Sequence, residues 1–321
     1  MLNVKILKRT QEALDIVSFE LGNIDGSALP HFDAGAHIDV QINENTLRQY
    51  SLYNSSNEHR TYKIAVLRDA NSRGGSQWIH DTLKQGDIIK ISHPRNLFSL
   101  NTGRHPVLLF AGGIGITPLI SMAETLHSLN QAFELHYFAR SKEHAAFFSQ
   151  LANGPFSKNV FFHFEDLRAS QGNGVRDILT GRQTDITPTQ IYTCGPNGFM
   201  DFIFSTAKEL GWPISALHKE VFKADIVEPS TKDKCFTLNL IKSGITIDVS
   251  ADQTALEALE EAGVEIDSSC EQGVCGSCLT KVLNGVPDHR DHFLSDSERS
   301  ANDQFTPCCS RALSESLSLD L

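Results

Sequence analysis

The chain has no apolar run of the roughly 18 residues that a membrane-spanning helix requires. Its first ten residues are interrupted by Lys5, Lys8 and Arg9 and so lack the apolar core of a signal peptide. These two absences lead to the expectation of a soluble, cytoplasmic protein that engages no membrane. Internal repeats and low-complexity tracts are also missing, which sets aside solenoids and disordered tails. Basic residues are the minority, 28 against 39 acidic ones, and a net charge of −11 is the wrong sign for a nucleic-acid partner. A second Cys-x2-Cys pair is absent, which argues against a structural zinc ribbon.

What the chain does have is seven cysteines without an export signal, a usage that fits reduced thiols and metal ligands better than a disulfide framework. Four of them, Cys270, Cys275, Cys278 and Cys308, stand as C-x4-C-x2-C-x29-C, the plant-type ferredoxin spacing for a 2Fe–2S cluster. Gly273 and Gly276 within Cys270-Glu-Gln-Gly-Val-Cys-Gly-Ser-Cys278 let that loop bend tightly and turn N–H groups towards the sulfurs. Cys235 lies in an alternating strand pattern and is read as a packing residue. The acidic charge concentrates here: residues 230–321 hold 7 Lys and Arg against 16 Asp and Glu. Such a face solubilises, and on an electron carrier it also steers docking to a basic partner.

At 321 residues the chain exceeds one ordinary core and fits three domains of about 100 residues each. The first hundred residues read as an antiparallel barrel of short alternating runs such as Arg48–Tyr53 and Tyr62–Leu67, with one helix, Gln77 to Leu83, capped by Ser76. From about residue 104 strands alternate with helices. Val107–Ala111, Phe133–Phe138, Val160–Phe164 and Ile191–Cys194 are the strands, and Thr117 caps a helix that has Pro118 first and runs to about Leu129. This is the pattern of a Rossmann-like parallel sheet covered on both faces. A polar linker, Lys223 to Lys234, precedes a hairpin, Cys235–Ile241 with Thr246–Val249. Thr254-x-x-Glu257 then forms a capping box for a helix ending at Gly263. That segment reads as a β-grasp fold.

Two motif pairs point to phosphate-bearing cofactors. Arg48-Gln-Tyr-Ser-Leu52 on a barrel strand is followed by Ser72-Arg-Gly-Gly-Ser76 at a helix start. The helix N-terminus presents N–H groups to an anion, Arg48 forks onto phosphate, and Tyr50 lies against a flat ring. Ala111-Gly-Gly-Ile-Gly-Ile-Thr-Pro118 joins a strand to its helix and allows close approach of a pyrophosphate, although G-x-G-x-x-G is not completed. Alone it reads equally as a tight packing turn. Cys194-Gly-Pro196 at the end of another parallel strand tips the balance towards a ligand crevice.

In this order the motifs resemble the phthalate dioxygenase reductase family, the flavin and iron–sulfur reductases of Rieske oxygenases, over the whole chain. Ala36-His-Ile-Asp-Val40, Pro94-Arg-Asn-Leu-Phe98, Val286-Pro-Asp-His-Arg-Asp291 and Asn302-Asp-Gln-Phe-Thr-Pro-Cys-Cys-Ser-Arg-Ala312 resemble its aromatic O-demethylase branch. The resemblance implies an FMN-binding antiparallel Greek-key β-barrel at 1–102. It implies a ferredoxin-reductase-like NAD-binding α/β domain at 103–226 and a plant-type 2Fe–2S β-grasp ferredoxin domain at 227–321. By the same resemblance Arg48, Tyr50 and Ser51 hold the FMN, with Gly74, Gly75 and Ser76 at its phosphate. Gly112, Gly113, Gly115 and Thr117 line the NAD pyrophosphate, and Cys194, Gly195 and Pro196 lie beside the nicotinamide. Phe222 matches the aromatic that closes the flavin–nicotinamide module, and reads equally as a buried strand-end aromatic. Cys308 rather than Cys309 is the fourth cluster ligand, because the family's closing pattern is Cys-x-Ser-Arg-Ala.

The implied function is a reductase that takes electrons from NADH through FMN and the cluster to a separate Rieske terminal oxygenase, an O-demethylase of vanillate type. NADH yields two electrons as hydride and the cluster accepts one at a time, so the flavin mediates. No catalytic acid–base dyad is demanded, and His289 and His292 read as solvated or partner-facing. No Cys-x-His pair exists, so a Rieske centre is expected on another polypeptide. FMN is expected rather than FAD, since no adenine platform is visible. Arg140, Ser141 and Lys142 keep NADPH open, since they follow a strand near the place of a 2′-phosphate. Reductases of phthalate, carnitine or sulfonate oxygenases and a general flavoreductase are the alternatives. A monomer is expected.

Overall fold

Inward-facing Val4 and Ile6, alternating with exposed Asn3 and Lys5, set the face of the long first strand, Leu2–Ala13 (β1). It pairs antiparallel with Ile16–Asn23 (β2). His37–Asn43 (β3), Thr46–Ser51 (β4), Thr61–Leu67 (β5) and Ile88–Ile91 (β6) complete a six-stranded sheet in the order β4-β3-β6-β1-β2-β5. A bridge from Leu52 to Ile64, with Tyr53 N–H donating to Lys63 C=O at 2.9 Å, joins the two outer strands and closes the barrel. Phe19, Ile38, Tyr62 and Ile64 fill it, each contributing about 1.5–3 kcal/mol by leaving water. The helix Gly75–Thr82 (α1) drops Ile79 into the same core. The computed structural model describes residues 1–43, 46–70, 74–103, 105–164, 174–182, 189–223 and 233–321. Ser72 and Arg73, and most of the expected linker at 223–234 with its boundary, lie outside them.

The N-cap of α1 is Gly74 and not Ser76 as expected. With φ +94 at Gly74 the chain turns sharply enough to begin winding two residues earlier, and the Ser76 hydroxyl accepts from Asp69 N–H at 3.2 Å.

Val107–Gly112 (β7) is buried along its whole length, as a strand covered on both faces must be. After the helix Ile116–Ser128 (α2) come Phe133–Ala139 (β8), Phe148–Asn153 (α3), Val160–Phe164 (β9), Gly174–Leu179 (α4), Gln190–Cys194 (β10), Asn197–Glu209 (α5) and Leu217–Glu220 (β11). All five strands are parallel in the order β11-β10-β7-β8-β9, so the direction of strand succession reverses between β7 and β10. α2 closes one face through Leu119, Ile120 and Ala123, and α4 and α5 the other through Leu179 and Ile203. Barrel and sheet share one compact unit, Met1–Phe222. Tyr53 and Phe147 rings lie 4.5 Å apart across the join, and Asn101 N–H donates to Tyr192 Oη at 2.8 Å.

Thr117 does not cap α2; Gly115 occupies that place and Pro118 is the third helical residue. A 3-10 turn at Gly113–Gly115 begins the winding before Thr117 is reached, and the Thr117 hydroxyl donates to Ile114 C=O at 3.1 Å.

The second compact unit is Lys223–Leu321. The hairpin Phe236–Leu240 (β12) with Ile245–Val249 (β13) extends through the strands Ser316–Leu319 (β18), Thr280–Asn284 (β14) and Gln304–Phe305 (β16), in the order β13-β12-β18-β14-β16. The helix Ala255–Glu261 (α6) covers this sheet with Ala255, Ala258 and Leu259. Its capping box is present: Glu257 N–H donates to Thr254 Oγ1 at 3.1 Å and Thr254 N–H to Glu257 Oε2 at 2.8 Å. A second box, Ser295 with Glu298, starts the helix Asp296–Ala301 (α7). A two-stranded ribbon pairs Pro287–Asp288 (β15) with Arg311–Ala312 (β17). Cys235 is exposed, contrary to its reading as a packing residue, because alternation that buries Phe236, Leu238 and Leu240 turns it outwards.

Candidate cofactor sites

The first site is made by two loops that interlock at the strand-order reversal, where open parallel sheets leave a crevice. A Cβ on Gly115 would lie 2.2 Å from the Cys194 carbonyl oxygen, and one on Gly112 would meet the Phe199 ring at 2.9 Å and Pro196 Cδ at 3.0 Å. Only glycine allows the ends of β7 and β10 to come this close. Gly195 packs on Gly112 Cα from the other side, and Pro196 caps α5. Gly113, at φ +53, has open space where its Cβ would be, so this turn offers its backbone at the start of α2. Thr117 is buried beneath the turn and supports it through Ile114.

Sheet register sets Cys194 directly beside Glu220. Burial, and then the neighbouring Glu220 carboxylate, push the Cys194 thiol well above its usual range, so it stays a neutral thiol and not a nucleophile. Glu220 is half-buried as a residue, but its carboxyl group is enclosed, and burial lifts it to about 8 against the opposing hydrogen bond from Ser51. Ser51 Oγ, at the end of barrel strand β4, donates to Glu220 Oε2 at 3.4 Å. Barrel and sheet thus meet through a hydroxyl and a carboxyl, with the buried Cys194 on the neighbouring sheet strand. On the barrel side Gly75, in the first turn of α1, leaves room for the Arg48 stem, since a Cβ there would touch Arg48 Cγ and Nε at 3.0 Å. Gly74 is open beside it. Tyr50 packs on the barrel core, and burial raises its phenol. Phe222, two residues beyond Glu220, is 38% exposed and not a buried strand-end ring.

The second site is the loop from Cys270 to Cys278, wound by left-handed residues at Glu271, Gly273 and Gly276. Gln272 N–H and Val274 N–H donate to Cys270 Sγ at 3.3 and 3.4 Å, and Ser277 N–H to Cys275 Sγ at 3.4 Å. No group of three His, Cys, Asp or Glu among the described residues is arranged to hold a single metal ion. The thiols associate pairwise, Cys270 with Cys275 and Cys308, and Cys308 with Cys278. Contacts with Cys275 and Cys308, then the two backbone donors, hold the Cys270 thiol far below its usual range, while the same contacts raise Cys275 and Cys308. Four sulfurs with inward N–H donors fit a thiolate-held 2Fe–2S cluster. Its surround is closely fitted: a Cβ on Gly276 would strike the Phe293 ring at 2.3 Å.

Residues 238–313 match the model of the 2Fe–2S iron–sulfur cluster binding domain. Over 321 residues the chain is 46% identical to the vanillate O-demethylase oxidoreductase of Pseudomonas sp. strain HR199, covering all of both chains. It is 38% identical to the phthalate dioxygenase reductase of Burkholderia cepacia, covering all of this chain and 97% of that one. A solved phthalate dioxygenase reductase, described as a modular structure for electron transfer from pyridine nucleotides to 2Fe–2S, superposes with a TM-score of 0.75. Its identity is 37%, with coverage of 100% of this chain and 98% of that chain. The chain belongs to the phthalate dioxygenase reductase family. It is an oxidoreductase with a ferredoxin-type module at its C-terminal end.

Two features of this reductase escaped the motifs. Glu220 belongs to none of them, and an acidic residue ending a parallel strand beside the Cys194-Gly-Pro196 strand is the available signal. His289 is not solvated: its side chain is 10% exposed and neither ring nitrogen has a hydrogen-bond partner among the described residues, whereas His292 is exposed as expected. His289 faces Asp291, whose Oδ1 lies 3.8 Å from its Nδ1. Asp291 Oδ2 accepts from Phe293 N–H and Leu294 N–H at 3.0 and 2.7 Å, and His292 N–H donates to Gly273 C=O at 2.8 Å. The His289–Leu294 stretch therefore clasps the cysteine loop.

Proposed function

We propose that this chain is the reductase component of a two-component Rieske oxygenase system, passing electrons from NADH by way of FMN and a 2Fe–2S cluster to a separate terminal oxygenase. The oxygenase is an aromatic O-demethylase of vanillate type. The reading takes residues 1–102 as the flavin part, 103–226 as the nucleotide part and 227–321 as the cluster part, and the chain as a monomer. The carrying observation is the Ser51–Glu220–Cys194 junction, which puts the end of the barrel's ring-and-phosphate strand against the sheet crevice.

When bound, nicotinamide supplies a hydride, flavin exchanges two electrons or one, and the cluster passes single electrons. The chain's own residues bind and orient. Arg48, with Gly74, Gly75 and Ser76 at the start of α1, holds the FMN phosphate, and Tyr50 and Ser51 fix the ring. Gly112, Gly113 and Gly115, supported by Thr117, cradle the pyrophosphate. Cys194, Gly195, Pro196 and Phe222 would border the nicotinamide, with Glu220 on the strand next to Cys194. Cys270, Cys275, Cys278 and Cys308 would hold the iron; Cys308 is taken as the fourth ligand, in keeping with its place in one buried cluster with Cys278.

NADH is preferred to NADPH because two of the three residues that could take a 2′-phosphate, Ser141 and Lys142, are engaged. Ser141 Oγ donates to Glu143 Oε2 at 2.6 Å, and Lys142 Nζ lies 4.6 Å over the Phe148 ring. The Glu143 carboxylate, held low by Ser141, repels a phosphate there. The test is reconstitution with candidate terminal oxygenases under NADH, scoring formaldehyde released from vanillate. Formaldehyde at a rate proportional to reductase supports the reading, and electron delivery only to a phthalate-type partner refutes the vanillate assignment.

A further inference from the structure

The last two residues of the expected linker, Asp233 and Lys234, are gripped by two arginines from much later in the chain. Arg290 takes the Asp233 carboxylate in its fork, Nη2 donating to Oδ1 at 2.6 Å and Nη1 to Oδ2 at 3.1 Å, while its Nε donates to Asp288 Oδ2 at 2.7 Å. The Asp233 side chain is only 6% exposed. Arg311, buried over the Phe236 ring, donates to the carbonyls of Lys234, Ser250 and Gln253 at 3.2, 2.8 and 2.6 Å. Both arginines also belong to the supports of the cysteine cage. Arg290 N–H donates to the buried Ser310 Oγ at 3.2 Å, and the adjacent Asp291 Cα lies 2.9 Å from where a Gly273 Cβ would be. Gln253, held by Arg311, directly precedes the Thr254 cap of α6, whose Leu256 packs with Cys278 and Cys308.

A linker that had only to connect two units would lose less entropy left free, since fixing each residue costs roughly 1–2 kcal/mol. A buried ion pair recovers little beyond its own desolvation, so this one is better understood as selecting a single path for the chain than as adding stability. The selected path ends against the cage. We propose that Arg290, backed by Arg311, is a positioning residue that moors the linker to the supports of the cluster. It thereby sets the rate at which electrons pass from flavin to cluster and leaves the cluster itself unaltered. The effective concentration of a tethered group depends on geometry as well as on tether length. Releasing Asp233 frees at most three residues before β12 begins at Phe236, and that added length alone lowers the effective concentration by less than about twofold. A larger fall therefore reports the lost direction of the chain. The inference rests on the flavin-to-cluster order of the function proposed above.

The experiment compares full-length wild-type, Asp233→Ala, Arg290→Gln and Arg290→Lys holoproteins. Trypsin cleavage after Lys234, read by fragment mass, measures the mooring without any redox step. Iron, acid-labile sulfide, midpoint potential and electron paramagnetic resonance g values report on the cluster, and stopped flow under NADH separates flavin reduction from cluster reduction. Asp233→Ala leaves Arg290 paired with Asp288. It is expected to be cleaved at least about threefold faster and to pass electrons from flavin to cluster at least about threefold more slowly. Flavin reduction, iron content, potential and g values stay at wild-type values. Arg290→Lys, which keeps the charge and loses the fork, gives a smaller change in both rates than Arg290→Gln. Wild-type cluster reduction in a cluster-replete, faster-cleaved Asp233→Ala overturns the proposal, and so does unchanged cleavage, because the pair then moors nothing. A shifted potential or altered g values in that variant also overturns it, by placing the effect in the cluster itself. If Arg290→Gln fails to fold, Asp233→Ala decides alone. Wild-type protein devoid of iron and sulfide, or whose cluster is not reduced through the flavin, refutes the underlying function instead.

Discussion

Glu220 is a carboxyl enclosed between a barrel hydroxyl and a sheet thiol, and its raised pKa makes it a reporter on stability. The folded value of about 8 exceeds the ordinary value of 4.5, so the folded state holds a proton that the unfolded chain releases. The associated stability is fully present below about pH 4.5 and is lost as pH rises through about 8. Glu220→Gln keeps the neutral shape at every pH. On warming, wild-type Tm should fall relative to the variant by at least ~2–4 °C between pH 5 and pH 9, the effect of about 1 kcal/mol in a protein of this size. A constant Tm difference across that range would show that the carboxyl is not confined. The residues around Glu220 were legible because Ser51 and Cys194 belong to compact motifs. Glu220 itself was not, since its burial depends on a barrel strand some 170 positions away in sequence, a contact that no local pattern encodes. The same limit explains His289, whose charged neighbours Asp288, Arg290 and Asp291 suggest a wet surface. Arg290 instead pairs inward with Asp288 and with Asp233, 57 positions away.

Among the elements, strands were easier to place than helix starts. Val107–Gly112, Val160–Phe164 and the β12–β13 hairpin follow from apolar runs and alternation, which depend on burial alone. Helix starts depend on competition between neighbouring residues. Ser76 and Thr117 have cap chemistry, but the glycines before them turn the chain first. Thr254 and Ser295 cap as their chemistry predicts because no glycine precedes them in the turn. Gly115 tests the glycine argument at the β7–α2 junction. Its missing Cβ faces a backbone carbonyl at 2.2 Å, which no rotamer change relieves, so Gly115→Ala must shift the turn at about 1–3 kcal/mol. Binding of NADH, followed by flavin bleaching in stopped flow, should weaken at least about tenfold, equivalent to ~1.4 kcal/mol. Iron and sulfide in the C-terminal unit should be unchanged. Unaltered NADH affinity would remove these loops from the nucleotide site.

For the whole molecule, sequence texture foretold the order of barrel, parallel sheet and ferredoxin module, because each has its own hydrophobic period and its own turn chemistry. Texture could not foretell that barrel and sheet merge into one unit, since Tyr53, Phe147 and Tyr192 make that join through side chains distant in sequence. The ferredoxin module keeps a separate core around Leu238, Leu259 and Leu317. Because each unit has its own core, the covalent link between them is expected to act chiefly by concentration. A short tether holds its ends at an effective concentration on the order of millimolar. Residues 1–222 produced alone should therefore oxidise NADH with ferricyanide at the wild-type rate. Residues 223–321 supplied separately at about 1 µM should be reduced roughly a thousandfold more slowly than in the intact chain, with a rate linear in their concentration. Stopped-flow absorbance of flavin and cluster measures both. A rate in trans that matches the intact chain at micromolar concentration would mean that the two units recognise each other tightly and that the link is dispensable.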